Sequence, residues 1–115
     1  MNTCELHNFA LERGYGPCGG GMDMHHIISR QLMRGCKGAR KFVDTFEPAG
    51  VFFAEVCGYH NSQTKIADLP EARAFMLQQR VDLYGMDYMQ EIWDEFLGKF
   101  KVEHPDLRLS VLLER

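Results

Sequence analysis

The period of the apolar positions changes along the chain. Up to residue 21 no period holds. Gly14, Gly16, Pro17, Gly19, Gly20 and Gly21 exclude regular structure there, so a knuckle followed by an irregular loop is expected. Met22 to Ile28 (MDMHHII) reads as a short strand. Val51 to Val56 (VFFAEV), β-branched and aromatic, reads as a buried strand entered through Pro48 and Gly50. Residues 29–50 between them read as a basic, glycine-containing connection with a helical turn near Ala39–Val43. After the second strand the period lengthens. One helix is expected over Tyr59–Ile66. A second is capped by Asp68, carries Pro70 and Glu71 in its first turn, runs through Arg80 to Tyr84, and ends at Gly85. A third spans Asp87–Phe100, where Met89, Ile92, Trp93, Phe96 and Phe100 recur at three- and four-residue steps and make one apolar face for the core. Beyond Pro105, LRLSVLL alternates weakly and is expected as a final strand or an ordered tail.

The length of 115 residues suits one core. No run of 18 apolar residues is present, so no membrane span is expected. The start, MNTCELHNF, has no basic region followed by an apolar stretch, so a cytoplasmic protein is expected. In a reducing compartment the four cysteines, Cys4, Cys18, Cys36 and Cys57, are metal ligands or reduced core residues rather than disulfides.

The net charge of −3 argues against a wholly basic nucleic-acid binder, but it conceals a gradient. Residues 1–23 carry −2, residues 24–65 carry +3 and the remainder −4. From Met24 to Val43 there is no acidic residue, while Arg30, Arg34, Lys37, Arg40 and Lys41 all fall there. A local basic strip of this kind can bind phosphates even on an acidic chain; a solvated basic loop is the plainer alternative.

Two places carry candidate chemistry. In Asp23-Met24-His25-His26-Ile27-Ile28, two adjacent imidazoles occupy opposite faces of a regular strand. At an irregular or bulged strand end both can reach one site, one holding a metal and the other left as a base. Directly after the apolar strand comes Cys57-Gly58-Tyr59-His60-Asn61, whose Cys-x-x-His spacing lets both side chains reach one zinc from a tight turn. Cys4-Glu5-Leu6-His7 repeats that spacing. Cys4, His7, Cys57 and His60 would then make a four-ligand zinc staple, with Cys18 competing for the place of His7.

The order knuckle, His-His-Ile, buried strand, Cys-x-x-His-Asn, helix resembles the HNH endonuclease superfamily, and Asn61 after the second knuckle resembles its phage junction-resolving members. The likeness covers residues 4–66. It implies an α+β protein with a zinc-stapled ββα-metal (His-Me finger) nuclease core over residues 1–66 and a helical C-terminal extension, residues 67–115, packed on the same domain. It implies DNA phosphodiester hydrolysis. His26 would be the general base, His25 and Asn61 ligands of a catalytic Mg²⁺, Mn²⁺ or other first-row ion, and Asp23 an alternative ligand. Cys4, Cys57 and His60, with His7 or Cys18, would hold a structural Zn²⁺, and the basic strip would grip DNA phosphates. The acidic C-terminal helices are candidates for homodimerisation or for docking another phage protein. The family's middle Asn has no counterpart here, where Phe52 and apolar neighbours stand. That absence, with the acidic C-terminal half, points to a second reading: a zinc module that binds DNA or a protein without chemistry.

Overall fold

The computed structural model describes residues 4–27, 52–100 and 108–114, with the side chains of His26, Lys99 and Phe100 outside the described set. Its elements are helix α1 (His7–Glu12), strands β1 (Met22–His26) and β2 (Phe53–Cys57), a wide π-type turn (Tyr59–Gln63), a 3₁₀ turn (Ile66–Asp68), and helices α2 (Pro70–Tyr84), α3 (Met86–Phe100) and α4 (Leu109–Leu113). The class is α+β.

The two strands pair antiparallel with an unbroken register, from Met22 opposite Cys57 to His26 opposite Phe53. Ile27 N–H extends the ladder to Phe52 O at 2.8 Å. Alternation sets the faces: His25 and Ile27 are buried and Asp23 half-buried, while Met22 and Met24 are exposed. In β2, Ala54 and Val56 face the core and Glu55 faces out. Glu5 N–H donates to Glu55 O at 2.9 Å, so the N-terminal segment lies along β2.

One apolar cluster joins the hairpin to the helices. Leu6, Phe9, Ile27, Phe52, Val56, Met76, Leu77, Met89, Trp93, Phe96 and Leu109 all belong to it. Phe52 meets Trp93 edge-on with centroids 5.4 Å apart, and Phe9 tilts against Phe75 at 5.1 Å. Burying a side chain of this size contributes roughly 1.5–3 kcal/mol. The predicted stripe of α3 is therefore core: Met89, Ile92, Trp93 and Phe96 are buried, and the Phe100 side chain lies outside the described residues.

A partly buried ion pair fastens α2 to the N-terminal segment. Arg80 donates to both carboxylate oxygens of Glu5 at 2.7 Å and also to Phe53 O at 2.7 Å and Met76 O at 2.9 Å. The planar guanidinium satisfies helix, strand and carboxylate together. Glu5 adjoins Cys4, so this clamp fixes the entry to the site described below.

Four local expectations are corrected. Residues 7–12 form a helix inside the region expected to be irregular. The expected helix Tyr59–Ile66 is a π-type turn and a 3₁₀ turn, because Lys65 takes a left-handed φ of 60° that no α-helix tolerates. Asp68 ends the 3₁₀ turn rather than capping α2, whose N-cap is Leu69. The segment LSVLL is helical, with Leu109 and Leu112 buried three residues apart. Gly85 ends α2 as expected, at φ 92°, a conformation costly to any residue with a Cβ. The helical turn expected at Ala39–Val43 lies outside the described residues. No helix among the described residues is long and apolar enough to cross a membrane.

Candidate metal centre and the adjoining histidine–asparagine pair

Cys57 closes β2 and His60 sits in the π-type turn after it, so the strand-to-turn corner brings both side chains to one point. Cys4 comes from the segment beside β2, and Cys18 from the glycine loop folded over the corner. Gly58 N–H donates to Gly21 O at 2.7 Å and Tyr59 N–H to Gly19 O at 3.0 Å, pinning that loop down. The ligand atoms of Cys4, Cys18, Cys57 and His60 all lie within 4.8 Å of one another. A tetrahedral zinc with Zn–S bonds of about 2.3 Å needs ligand atoms about 3.8 Å apart. His60 Nδ1 is 3.2 Å from Cys57 Sγ and 3.8 Å from Cys18 Sγ.

The surroundings prepare these groups for a cation. His60 Nε2 faces Gly16 O at 3.1 Å, and a carbonyl can only accept, so Nε2 carries the proton and the Nδ1 lone pair faces the sulfurs. Gly16 reaches that place at φ 92°, with the Tyr59 ring 3.7 Å from where a Cβ would stand. Cys57 N–H approaches Cys4 Sγ at 3.3 Å, and His60 N–H approaches Cys57 Sγ at 3.5 Å. Burial acts to raise the Cys57 thiol. The backbone of His60 and Gly19 and the Cys18 and Cys4 thiols outweigh it, so the net shift is downward, toward the thiolate that zinc requires.

The structure brings Cys18 rather than His7 into the four-donor cluster. His7 is the first residue of α1, and its Nδ1 lies at the edge of the cluster, 3.5 Å from Cys18 Sγ. The reading of two equivalent Cys-x-x-His knuckles is corrected accordingly. Cys36 lies outside the described residues.

Next to this cluster lies a second arrangement. Asn61 follows His60, and the wide turn aims its side chain back at β1. Asn61 Oδ1 is 2.8 Å from His25 Nδ1, and Asn61 Nδ2 donates to Asp23 Oδ2 at 3.2 Å. Asp23 and His25 share a face of β1, two residues apart, so one amide spans both. Burial pushes the His25 pKa down. Asn61, the Asp68 charge and the Ala67 backbone oppose that shift and the Arg73 charge adds to it, for a net lowering. A lowered pKa keeps a ring lone pair available near neutrality.

Of the sequence-predicted site residues, then, Cys4, Cys18, Cys57 and His60 converge, and His25, Asn61 and Asp23 form a separate adjoining group. Asp23 meets that group through the Asn61 amide rather than through the ring. His26 is in β1 opposite Phe53, and its side chain lies outside the described residues. Arg30, Arg34, Lys37, Arg40 and Lys41 also lie outside them. Two contributors gave no sequence signal: the Gly16 carbonyl, since any residue carries one, and Arg80, whose partner is 75 residues away. No protein-family model matches the chain, and no curated protein or solved structure matches it either.

Proposed function

We propose that this chain is a zinc-stapled, metal-dependent endonuclease that hydrolyses DNA phosphodiester bonds, built on a ββα-metal core. One observation supports the reading above the others: His25 Nδ1 and Asn61 Oδ1 stand 2.8 Å apart at the corner of a hairpin and the turn that follows it. Adjacent ligands of an ion bound at about 2.1 Å are separated by about 3 Å, so the donor pair fits Mg²⁺ or Mn²⁺. His25 and Asn61 would hold that ion, which when bound offsets charge on the phosphate and the departing oxygen.

The chain's own residues would do the rest. His26 would accept the proton of the attacking water, a contribution of about 10²–10⁴-fold in rate. The neighbouring four-ligand zinc would hold the π-type turn, and so Asn61, rigidly against β1. Arg30, Arg34, Lys37, Arg40 and Lys41 would grip flanking phosphates without reading sequence.

Nicking of supercoiled plasmid by the zinc-loaded protein tests this. Activity with Mg²⁺ or Mn²⁺, its loss in chelator, and its loss in His26→Ala and Asn61→Ala at unchanged zinc content are expected. Full activity in His26→Ala would reject that base. Replacing Arg34, Lys37 and Arg40 by Ala should flatten the salt dependence of DNA binding, and an unchanged slope would make the strip a solvated loop.

The second reading, a non-catalytic zinc module, needs the four-donor cluster alone and no ion at the His25–Asn61 pair. Cys4, Cys18, Cys57 and His60 already supply four ligands, a closed structural set with no open position for chemistry. Zinc-dependent folding without nicking on any DNA shape would decide for it.

A further inference from the structure

We infer that Asp23 is a positioning residue that sets which edge of the Asn61 amide faces His25. The inference deepens the nuclease reading and, in its catalytic meaning, rests on it. An ionised carboxylate only accepts hydrogen bonds. Asp23 Oδ2 lies 3.2 Å from one end of the Asn61 amide, so that end must be the NH₂ group. The carbonyl end is thereby turned to His25 Nδ1 at 2.8 Å. Without the carboxylate, nothing in this chain of contacts separates the two amide orientations, and half a turn about the last torsion would present NH₂ to the ring. An NH₂ group cannot ligate a cation and cannot accept an N–H from the imidazole.

The backbone makes the contact specific. Asp23 and His25 are two residues apart on a strand of unbroken register, so their side chains leave the same face, and Asn61 spans the gap. The carboxylate thus acts through the amide. This separates the inference from the reading of Asp23 as a metal ligand, because an acceptor is needed here and a charge on the ion is not. Outer-shell residues of this kind change metal affinity about 10–100-fold when removed.

The test uses the zinc-loaded protein and Mn²⁺ alone as probe. Mn²⁺ affinity is measured by calorimetry for the parent, Asp23→Ala, Asp23→Asn and Asn61→Ala, with zinc content and melting temperature as fold controls. The protonated nitrogen of His25 is read separately, before Mn²⁺ is added, from long-range proton–nitrogen NMR couplings. Asp23→Ala should weaken Mn²⁺ about 10–100-fold and mix the His25 tautomers, whereas the metal-free parent holds the proton on Nδ1 and passes it to Nε2 only when Mn²⁺ takes the Nδ1 lone pair. Asp23→Asn, which still offers a carbonyl acceptor, should stay within a few-fold of the parent and keep its tautomer. Asp23→Ser, polar but too short to reach the amide, should behave as the alanine variant and replaces it if that variant unfolds. Equal losses in the Ala and Asn variants would make Asp23 a ligand and overturn the inference. So would an Asp23→Ala protein with parental Mn²⁺ affinity and tautomer. If the parent binds no Mn²⁺ but the tautomer still depends on Asp23, positioning stands and the nuclease reading falls.

Discussion

Cys18 and His7 are rival candidates for one place in the four-donor cluster, and single substitutions separate them. Cys18→Ala should lower zinc content measured by elemental analysis, as should Cys57→Ala, because each removes one of four converging ligands. His7→Ala should keep one zinc per chain, with affinity lowered no more than about 100-fold, as befits a group beside Cys18 and outside the four-donor cluster. Zinc loss in His7→Ala with retention in Cys18→Ala would reverse the assignment. His25 gives a second residue-scale prediction. Its pKa is lowered in the fold, so the folded state binds fewer protons than the unfolded chain just below the ordinary imidazole value of about 6.5. Stability should fall as pH drops from that value toward the lowered one, by at most about 1.4 kcal/mol per pH unit. Urea unfolding of the parent against His25→Asn across that window isolates the effect from acid loss of zinc. Identical pH slopes would mean that the ring is not desolvated.

The elements succeed or fail as carriers of the site through a few contacts between them. Arg80 on α2 holds Glu5 beside Cys4 and the carbonyl that begins β2. Arg80→Ala leaves the partly exposed Glu5 carboxylate without its main partner and should cost about 2 kcal/mol by urea unfolding, less than breaking a fully buried pair. Arg80→Lys should recover only part, since one ammonium cannot fill the bidentate geometry. A loss under 1 kcal/mol would mean that the clamp is replaceable by water. This contact also marks where sequence reading stops. The strands, the α2 stop at Gly85 and the α3 stripe are written in local periodicity, so they are legible from the chain alone. The Cys-x-x-His-Asn unit is legible too, because its members lie within one turn. The break at Lys65 is not, since nothing in a lysine announces a left-handed φ. The choice of Cys18 over His7 was also hidden, because it depends on a loop packing across a corner 40 residues further on. The helix at Leu109–Leu113 looked like weak alternation in a segment too short to show its period.

At the scale of the molecule, a two-stranded hairpin is too small to be stable by itself. Here it is covered by α2 and α3 on the core side and tied by the four-ligand cluster at its open corner. Zinc bound at the cluster would therefore turn its binding free energy into folding free energy for the Cys4 to Gly21 segment and the strand-to-turn corner. Chelation should lower the melting temperature and free the Cys4 to Gly21 segment, while the α2–α3 packing around Trp93 and Met89 persists in part. Hydrogen exchange with and without chelator reads this out. Uniform protection in both states would show that the cluster carries no structural load. On the proposed reading, two different ions would occupy neighbouring places made by one strand-to-turn corner. Anomalous diffraction from a single crystal grown with zinc and soaked in Mn²⁺ tests it most directly. The expected map has a zinc peak among Cys4, Cys18, Cys57 and His60 and a separate manganese peak touching His25 Nδ1 and Asn61 Oδ1. A zinc peak alone, with the His25–Asn61 hydrogen bond intact at saturating Mn²⁺, would contradict it.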